Sequence, residues 1–231
     1  VVIHVCGPKL AGKTTLTGML IEQLKVQPSV FGPVFRLFAA PTTAKMIAFD
    51  NRTAGMVCHH IEGQLAASIV HFSVHDYGGH EQFWVSYPQF LKVPNSLYII
   101  VIPLAKKTSD TEHVPYPLED LVKEYKSWLS FIGKHLFCDV GESLKDKALP
   151  AVLTILNQFS SIPEPIRTKS TVVEAALAAC QMQYKTSFNF YKLLLIDSVN
   201  SHDCMWVREI IADALRPIVQ QQSPSSFSLY A

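Results

Sequence analysis

Two loops that follow apolar runs carry the residues best suited to chemistry. The first, GPKLAGKT over Gly7–Thr14, matches G-x-x-x-x-G-K-[ST] and follows the apolar run Val1–Cys6. In such a loop successive backbone N–H groups surround anionic oxygens, and the N-terminus of the next helix adds its positive dipole end. Lys13 is expected to reach the terminal phosphates, and Thr14 offers a hydroxyl to Mg²⁺. The predicted nucleotide-binding residues of this loop are Gly7, Lys9, Leu10, Ala11, Gly12, Lys13, Thr14 and Thr15.

The second loop, HDYGGHE, follows the alternating run SIVHFSVH. In P-loop nucleotide hydrolases a second strand brings an acid to the metal and then lets its backbone approach the γ-phosphate. Asp76 fits the first task, and Gly79, which has no side chain in the way, fits the second. His80 follows, and a neutral imidazole has one donor and one acceptor nitrogen with which to orient a water. The predicted catalytic residues are therefore His80, Gly79 and Lys13.

A third group lies between these loops in the stretch NRTAGM. A threonine followed closely by glycine, just before a strand, is where such proteins place the hydroxyl that closes over Mg²⁺ and the γ-phosphate. We assign this role to Thr53. The predicted metal ligands are Thr14, Thr53 and Asp76.

The rest of the chain alternates strand-like and helix-like segments. Six strand-like segments precede or follow helical apolar stripes, which is typical of crossover connections in a mainly parallel sheet. We predict an α/β fold with a six-stranded sheet, helices on both faces and one antiparallel hairpin strand. One domain is expected over residues 1–220, followed by a polar linker or tail over residues 221–231. The predicted strands are Val1–Cys6, Met56–Glu62, Ser68–Asp76, Ser96–Leu104, Leu149–Leu156 and Phe190–Asp197.

Composition narrows the function classes. The formal net charge is +1, which gives no support for a nucleic-acid surface, and the longest apolar run is too short to cross a bilayer. The five cysteines are widely scattered in the sequence, and we interpret them as free thiols of a protein in the reducing cytoplasm. Because Val1 begins inside a strand-like run, we interpret the chain as a domain from a longer protein.

These motifs resemble those of the Ras-like small GTPases, and within them the Roc domains of Roco proteins. The P-loop, Thr53 and the D-x-x-G of Asp76–Gly79 match the wider family, whereas HDYGGHEQFW and YKSWLSFIG are similar to the Roc switch II and third helix. The resemblance covers residues 1–220. It implies a Ras-like P-loop fold, GTP or GDP bound with Mg²⁺, a signalling switch with protein effectors, and a COR domain in the same full-length chain.

The resemblance also implies where the base should be read. The family's N-K-x-D is represented by NQFS, in which Asn157 is retained while Gln158 and Ser160 replace the lysine and the aspartate. The aspartate would accept two charge-assisted hydrogen bonds from guanine, worth roughly 1.5–3 kcal/mol each. The stretch DSVNS corresponds loosely to the loop that meets the base through backbone N–H groups, which adds Ser198 and Val199 to the predicted nucleotide-binding residues.

Three functions are consistent with these residues. The first is a slow GTPase switch of the Roco type, and the second is a pseudo-GTPase scaffold that binds nucleotide weakly or without turnover. The third, an ATP-using P-loop enzyme, is disfavoured by the combination of RTAG and DYGGHE. A transition-metal site formed by the hairpin histidines, His59, His60, His71 and His75, is weighed as well, but a polar hairpin face explains them better.

Overall fold

The computed structural model describes residues 1–24, 55–65, 68–93, 96–107, 113–137, 149–157 and 170–222. Within these residues the main sheet has the order β2-β3-β1-β4-β7-β8, and β9 also pairs with β7. Its neighbours are parallel except for the antiparallel pair β2 and β3. The strands are β1 (Val2–Cys6), β2 (Met56–Leu65), β3 (Ser68–Tyr77), β4 (Ser96–Pro103), β5 (Ala105–Lys107), β6 (His113–Pro115), β7 (Ala151–Asn157), β8 (Asn189–Phe190) and β9 (Leu194–Leu195).

The helices lie on both faces of this sheet. Residues of α1 and α5 join one buried apolar cluster, and residues of α2, α3 and α4 join a second cluster on the opposite face. The predicted α/β fold, mainly parallel with one antiparallel hairpin strand, is therefore confirmed. The helices are α1 (Lys13–Leu24), α2 (Pro88–Leu91), α3 (Leu118–Phe137), α4 (Ser170–Tyr184) and α5 (Ser201–Gln222), with a 3₁₀ helix at Glu81–Ser86.

The continuous apolar runs form the centre of the sheet. Every residue of β4 and β7 is buried, as is all of β1 after Val2. Strands covered by helices on both faces exclude water from both sides, and this is why their sequences do not alternate. The last residues of β1 and β3, Cys6 and Tyr77, are also fully buried, so the loops that follow both strands begin from the packed centre of the sheet.

The number of strands differs from the prediction. Where one strand was predicted over Phe190–Asp197, the structure has two short strands, β8, which begins at Asn189, and β9, which gives seven strands in the main sheet. Both pair with β7, and of the residues between them Tyr191 still donates its backbone N–H to the carbonyl oxygen of Val152 at 2.9 Å. An edge strand is held by one neighbour only, so side-chain packing can interrupt it. Here Tyr191 packs against one core cluster and Leu193 against the other.

Two further features concern the helices. The last helix, α5, ends at Gln222, just beyond the predicted start of the tail.

None of the helices in the described part of the chain combines the length and apolar character that a membrane crossing requires.

Candidate functional site

The loop between β1 and α1 has an unusual backbone. Gly7, Leu10 and Gly12 have φ angles of 139°, 61° and 82°, respectively. A Cβ atom on Gly7 would lie 2.1 Å from the carbonyl oxygen of Val101, so only glycine fits there. Leu10 holds a left-handed conformation that costs a residue with a Cβ atom about 1–2 kcal/mol. Such a conformation persists only where the surrounding structure holds the backbone in place, and it is common in loops that bind ligands.

Lys13, the first residue of α1, directs a buried ammonium group back into this loop. Its side chain is 6% exposed, and Nζ donates a hydrogen bond to the carbonyl oxygen of Pro8 at 2.7 Å. Burial lowers the pKa of Lys13 to about 8, although the carboxylate of Asp76 acts in the opposite direction. A buried cation has lost most of its contact with water, so an anion that pairs with it offsets this loss of solvation.

Asp76 lies beside the loop because β3 runs parallel to β1. In the register of these strands, Asp76 is opposite Val5, and its side chain is fully buried. The carboxyl ends of parallel strands share one edge of the sheet, so the acid is near Lys13 and Thr14. A carboxylate together with the Thr14 hydroxyl is a set of hard oxygen donors, the chemistry that Mg²⁺ requires.

Gly79 brings the second loop into contact with the first. A Cβ atom on Gly79 would lie 2.2 Å from the backbone nitrogen of Lys9 and 2.3 Å from the carbonyl carbon of Pro8. The backbone at Gly79 therefore lies directly against the loop between β1 and α1. The sequence predicted that Gly79 approaches the γ-phosphate, and the contact in the structure is with the loop that precedes α1.

Asn157, the last residue of β7, connects the loop between β1 and α1 to the loop before α5. Its Nδ2 atom donates hydrogen bonds to the carbonyl oxygen of Ala11 at 2.7 Å and to Oγ of Ser198 at 3.0 Å. Its Oδ1 atom accepts a hydrogen bond from the Ser198 backbone N–H at 2.8 Å. Because all three residues are buried, the network holds the two loops at a fixed separation.

The remaining predicted residues are distributed around this centre. Thr14 and Thr15 lie half-buried in the first turn of α1, Lys9 is exposed, and Val199 is 39% exposed beside Ser198. His80 precedes the 3₁₀ helix, and its ring lies edge-on to Phe83 at a centroid distance of 6.4 Å. Thr53, Gln158 and Ser160 lie outside the described residues.

Two residues near the site were not predicted. Glu124 of α3 has a pKa raised first by burial and then by the Glu81 carboxylate, whereas the charge of Lys13 lowers it. Tyr87 directs its hydroxyl at the carbonyl oxygens of Gly55, just before β2, and of Gly78, in the second loop. Periodicity assigns Glu124 to the polar face of α3, and no local pattern marks Tyr87, because both reach the site only through tertiary packing.

Of the four hairpin histidines, His60, His71 and His75 lie on one face of the hairpin and His59 lies on the other. In the register of β2 and β3, His60 lies opposite Ser73 and Cys58 opposite His75, whereas His59 lies opposite Val74 on the other face. His60 Nδ1 is 2.9 Å from the Ser73 hydroxyl, so this histidine has a protein partner. His75 is buried, although alternation alone suggested an exposed position.

Comparisons with known proteins test the fold. Neither the family models nor the curated proteins contain a match to this sequence. Among solved structures, the chain is similar to Methanosarcina barkeri Roco2 RocCORdC bound to GDP, with 17% sequence identity and a TM-score of 0.50. The match covers 93% of this chain and 48% of the other, so the chain spans about half the length of that neighbour. Together with the observed strand order, this similarity shows that the chain has the Ras-like P-loop fold.

Proposed function

We propose that the chain is a guanine-nucleotide-binding switch domain of the Roco type that binds GTP or GDP with Mg²⁺ and hydrolyses GTP slowly. One observation supports this most strongly. A strained glycine loop, a buried lysine, a buried aspartate and a closely packed glycine meet at the carboxyl ends of β1 and β3. Ligands of open α/β sheets bind at this edge, where the strand order reverses.

Phosphate binding would rely on the backbone of Gly7–Gly12 and on the Lys13 ammonium group. In the structure, that ammonium is buried and donates a hydrogen bond to the Pro8 carbonyl oxygen. An added phosphate would supply a stronger, charge-assisted partner for it. Thr14, Asp76 and, from the sequence, Thr53 would hold Mg²⁺, which neutralises charge on the β- and γ-phosphate oxygens.

Base binding would occur at the loops joined by Asn157. The network from Asn157 to Ala11 and Ser198 supports a preformed surface beside the phosphate loop. The similar solved structure is bound to GDP, which supports a guanine nucleotide. Ser160 offers one hydroxyl where the Ras-like GTPases have a carboxylate. We therefore expect the GTP affinity to be roughly ten-fold to several hundred-fold lower than that of a domain with the carboxylate.

Hydrolysis is expected to be slow. A water-orienting group must accept from the water while it donates toward the γ-phosphate, and a neutral imidazole has one nitrogen for each task. In the structure the His80 ring lies edge-on to Phe83, so these tasks would require its nitrogens to face the water and the γ-phosphate from that position. Lys9, exposed beside Gly79, would also crowd an arginine finger from a partner, a group worth about 10³–10⁵ in rate. We therefore propose that the switch is reset mainly by nucleotide exchange.

The second candidate function is a pseudo-GTPase interaction scaffold. It is favoured by NQFS, which lacks the base-reading acid. The resemblance and the RocCORdC neighbour support a COR domain in the same full-length protein, which such a scaffold would help to position.

Nucleotide titration separates these functions. Purified domain is titrated with fluorescent GTP, GDP and ATP, with Mg²⁺ and with EDTA. A Mg²⁺-dependent preference for guanine nucleotides supports the switch. Equal affinities for GTP and ATP would contradict guanine specificity. Absence of binding to any of the three nucleotides would favour the pseudo-GTPase scaffold.

Two variants refine the outcome. Ser160→Asp should increase the preference for GTP over ATP, because it restores the double acceptor. Single-turnover hydrolysis of GTP by the parent and by His80→Ala should be slow in both. Turnover near or above about 1 s⁻¹, within the usual range for enzymes and lost in His80→Ala, would make His80 a catalytic residue.

A further inference from the structure

The side chain of Tyr87 connects two backbone segments that lie far apart in sequence. Its hydroxyl is 2.8 Å from the carbonyl oxygen of Gly78 and 3.0 Å from that of Gly55. A hydroxyl has one hydrogen, so a single donor is shared between both carbonyls. The Tyr87 ring is fully buried and packs edge-on against Tyr77 at a centroid distance of 4.7 Å.

The two backbone segments also contact each other directly. The N–H of Gly78 donates to the carbonyl oxygen of Gly55 at 2.6 Å. Gly55 has a φ angle of 77° and lies immediately before β2, whereas Gly78 immediately precedes Gly79. Gly55, Gly78 and Tyr87 therefore form a three-residue joint, which we call the tyrosine joint.

We propose that Tyr87 is a positioning residue that couples the segment entering β2 to the backbone that presents Gly79. This inference rests on the proposed function, since Gly79 lies against the phosphate-binding loop and Thr53 precedes Gly55 in the chain. In that proposal each of these segments contributes a group near the γ-phosphate. The carbonyl oxygens of Gly55 and Gly78 share the Tyr87 hydroxyl as donor. A displacement of one segment therefore disturbs the other.

The matched variants are Tyr87→Phe and Tyr98→Phe. Each removes one hydroxyl and keeps the buried ring. The Tyr98 hydroxyl donates to the carbonyl oxygen of Leu91 at 2.6 Å, in the same core cluster but at neither Gly55 nor Gly78. Both variants lose one buried hydrogen bond to a carbonyl, so a similar decrease in global stability is expected from each, and only Tyr87→Phe opens the joint.

The first measurement needs no nucleotide. Amide hydrogen exchange of the free protein is followed at residues 55–57 and 78–80. We expect Tyr87→Phe to accelerate exchange at both segments together by about three- to ten-fold, the change expected from one lost hydrogen bond. Tyr98→Phe should leave both segments close to the parent rates. Equal acceleration in both variants, or acceleration of only one segment in Tyr87→Phe, would overturn the coupling.

The second measurement links the joint to nucleotide. Dissociation rates of fluorescent GDP and of a non-hydrolysable GTP analogue are compared in the parent and both variants. Tyr87→Phe should increase the ratio of analogue to GDP dissociation rates by about three- to ten-fold, because the joint positions groups that meet the γ-phosphate. An unchanged ratio would refute the positioning role. A parent that binds no nucleotide would refute the proposed function and this role together, whereas hydrogen exchange would still decide whether the joint couples the segments.

Discussion

Gly79 lies so close to Lys9 that no side chain fits between them. A Cβ atom on Gly79 would come within 2.2 Å of the Lys9 backbone nitrogen, a separation that requires the backbone to move. Gly79 follows β3, and Lys9 belongs to the loop after β1. The contact therefore joins the two loops that, in our proposal, approach the γ-phosphate.

Gly79→Ala should weaken nucleotide binding by forcing these loops apart. The added methyl group meets backbone atoms of Pro8 and Lys9, which cannot rotate away as a flexible side chain can. We expect a loss of about ten-fold or more in GTP affinity, corresponding to at least about 1.4 kcal/mol. Fluorescent-nucleotide titration measures it.

Gly18→Ala is the matched control for that variant. Gly18 lies within α1, and a Cβ atom there meets nothing within 4 Å. Alanine should stabilise the helix by about 0.5–1 kcal/mol in urea unfolding and leave nucleotide affinity unchanged. Equal affinity losses in both variants would contradict a special role for Gly79.

Lys13→Ala should abolish tight nucleotide binding. Among the described residues of the loop, Lys13 has the buried ammonium group, and phosphate would be its charge-assisted partner. Lys192→Ala, which removes an exposed lysine between β8 and β9, serves as the charge control. If Lys13→Ala binds GTP as tightly as the parent, the assignment of the phosphate loop is wrong.

Asn157→Ala should reduce stability as well as nucleotide affinity. The substitution removes the partner of the Ala11 carbonyl and of the Ser198 N–H, both in a buried network. Leaving buried polar groups unsatisfied costs about 1–3 kcal/mol, which urea unfolding detects. Asn189→Ala, at an exposed edge position, should change the free energy of unfolding by less than about 0.5 kcal/mol. Similar stability in the two variants would show that the network contributes little.

His4 should make stability depend on pH. Its ring is fully buried and stacked on Tyr98, and burial lowers its pKa from 6.5 to about 3. Between these values the unfolded chain binds a proton that the folded chain does not. The free energy of unfolding is therefore highest above pH 6.5 and falls as pH decreases, by up to about 1.4 kcal/mol per pH unit from this group.

His4→Phe tests this dependence. Phenylalanine keeps an aromatic ring next to Tyr98 but does not titrate, so urea unfolding between pH 7 and pH 5 should show a shallower loss of stability. His71→Gln, at an exposed position of β3, should retain the parent slope. A His4→Phe slope as steep as that of the parent would assign the pH dependence to other groups.

Local patterns predicted much of the architecture. The apolar runs of β1, β4 and β7 indicated strands covered on both faces, and the loop before Lys13 indicated a strand–loop–helix unit. The parallel arrangement then placed Asp76 near that loop, because parallel strands end at the same edge of the sheet. The division of Phe190–Asp197 into β8 and β9 was missed, since an interruption at a sheet edge depends on packing from both faces.

The sequence by itself determined most elements of the main sheet and the chemical character of the loop residues, because apolar runs and the spacing of glycine, lysine and threonine act within a few neighbouring positions. Only the tertiary structure decided which distant groups meet. The burial of His75, the approach of Glu124 to Lys13 and the hydroxyl of Tyr87 between Gly55 and Gly78 all depend on contacts between elements far apart in the chain. Periodicity reports which face a residue occupies, but the partner on that face is chosen by packing of the whole sheet and its helices.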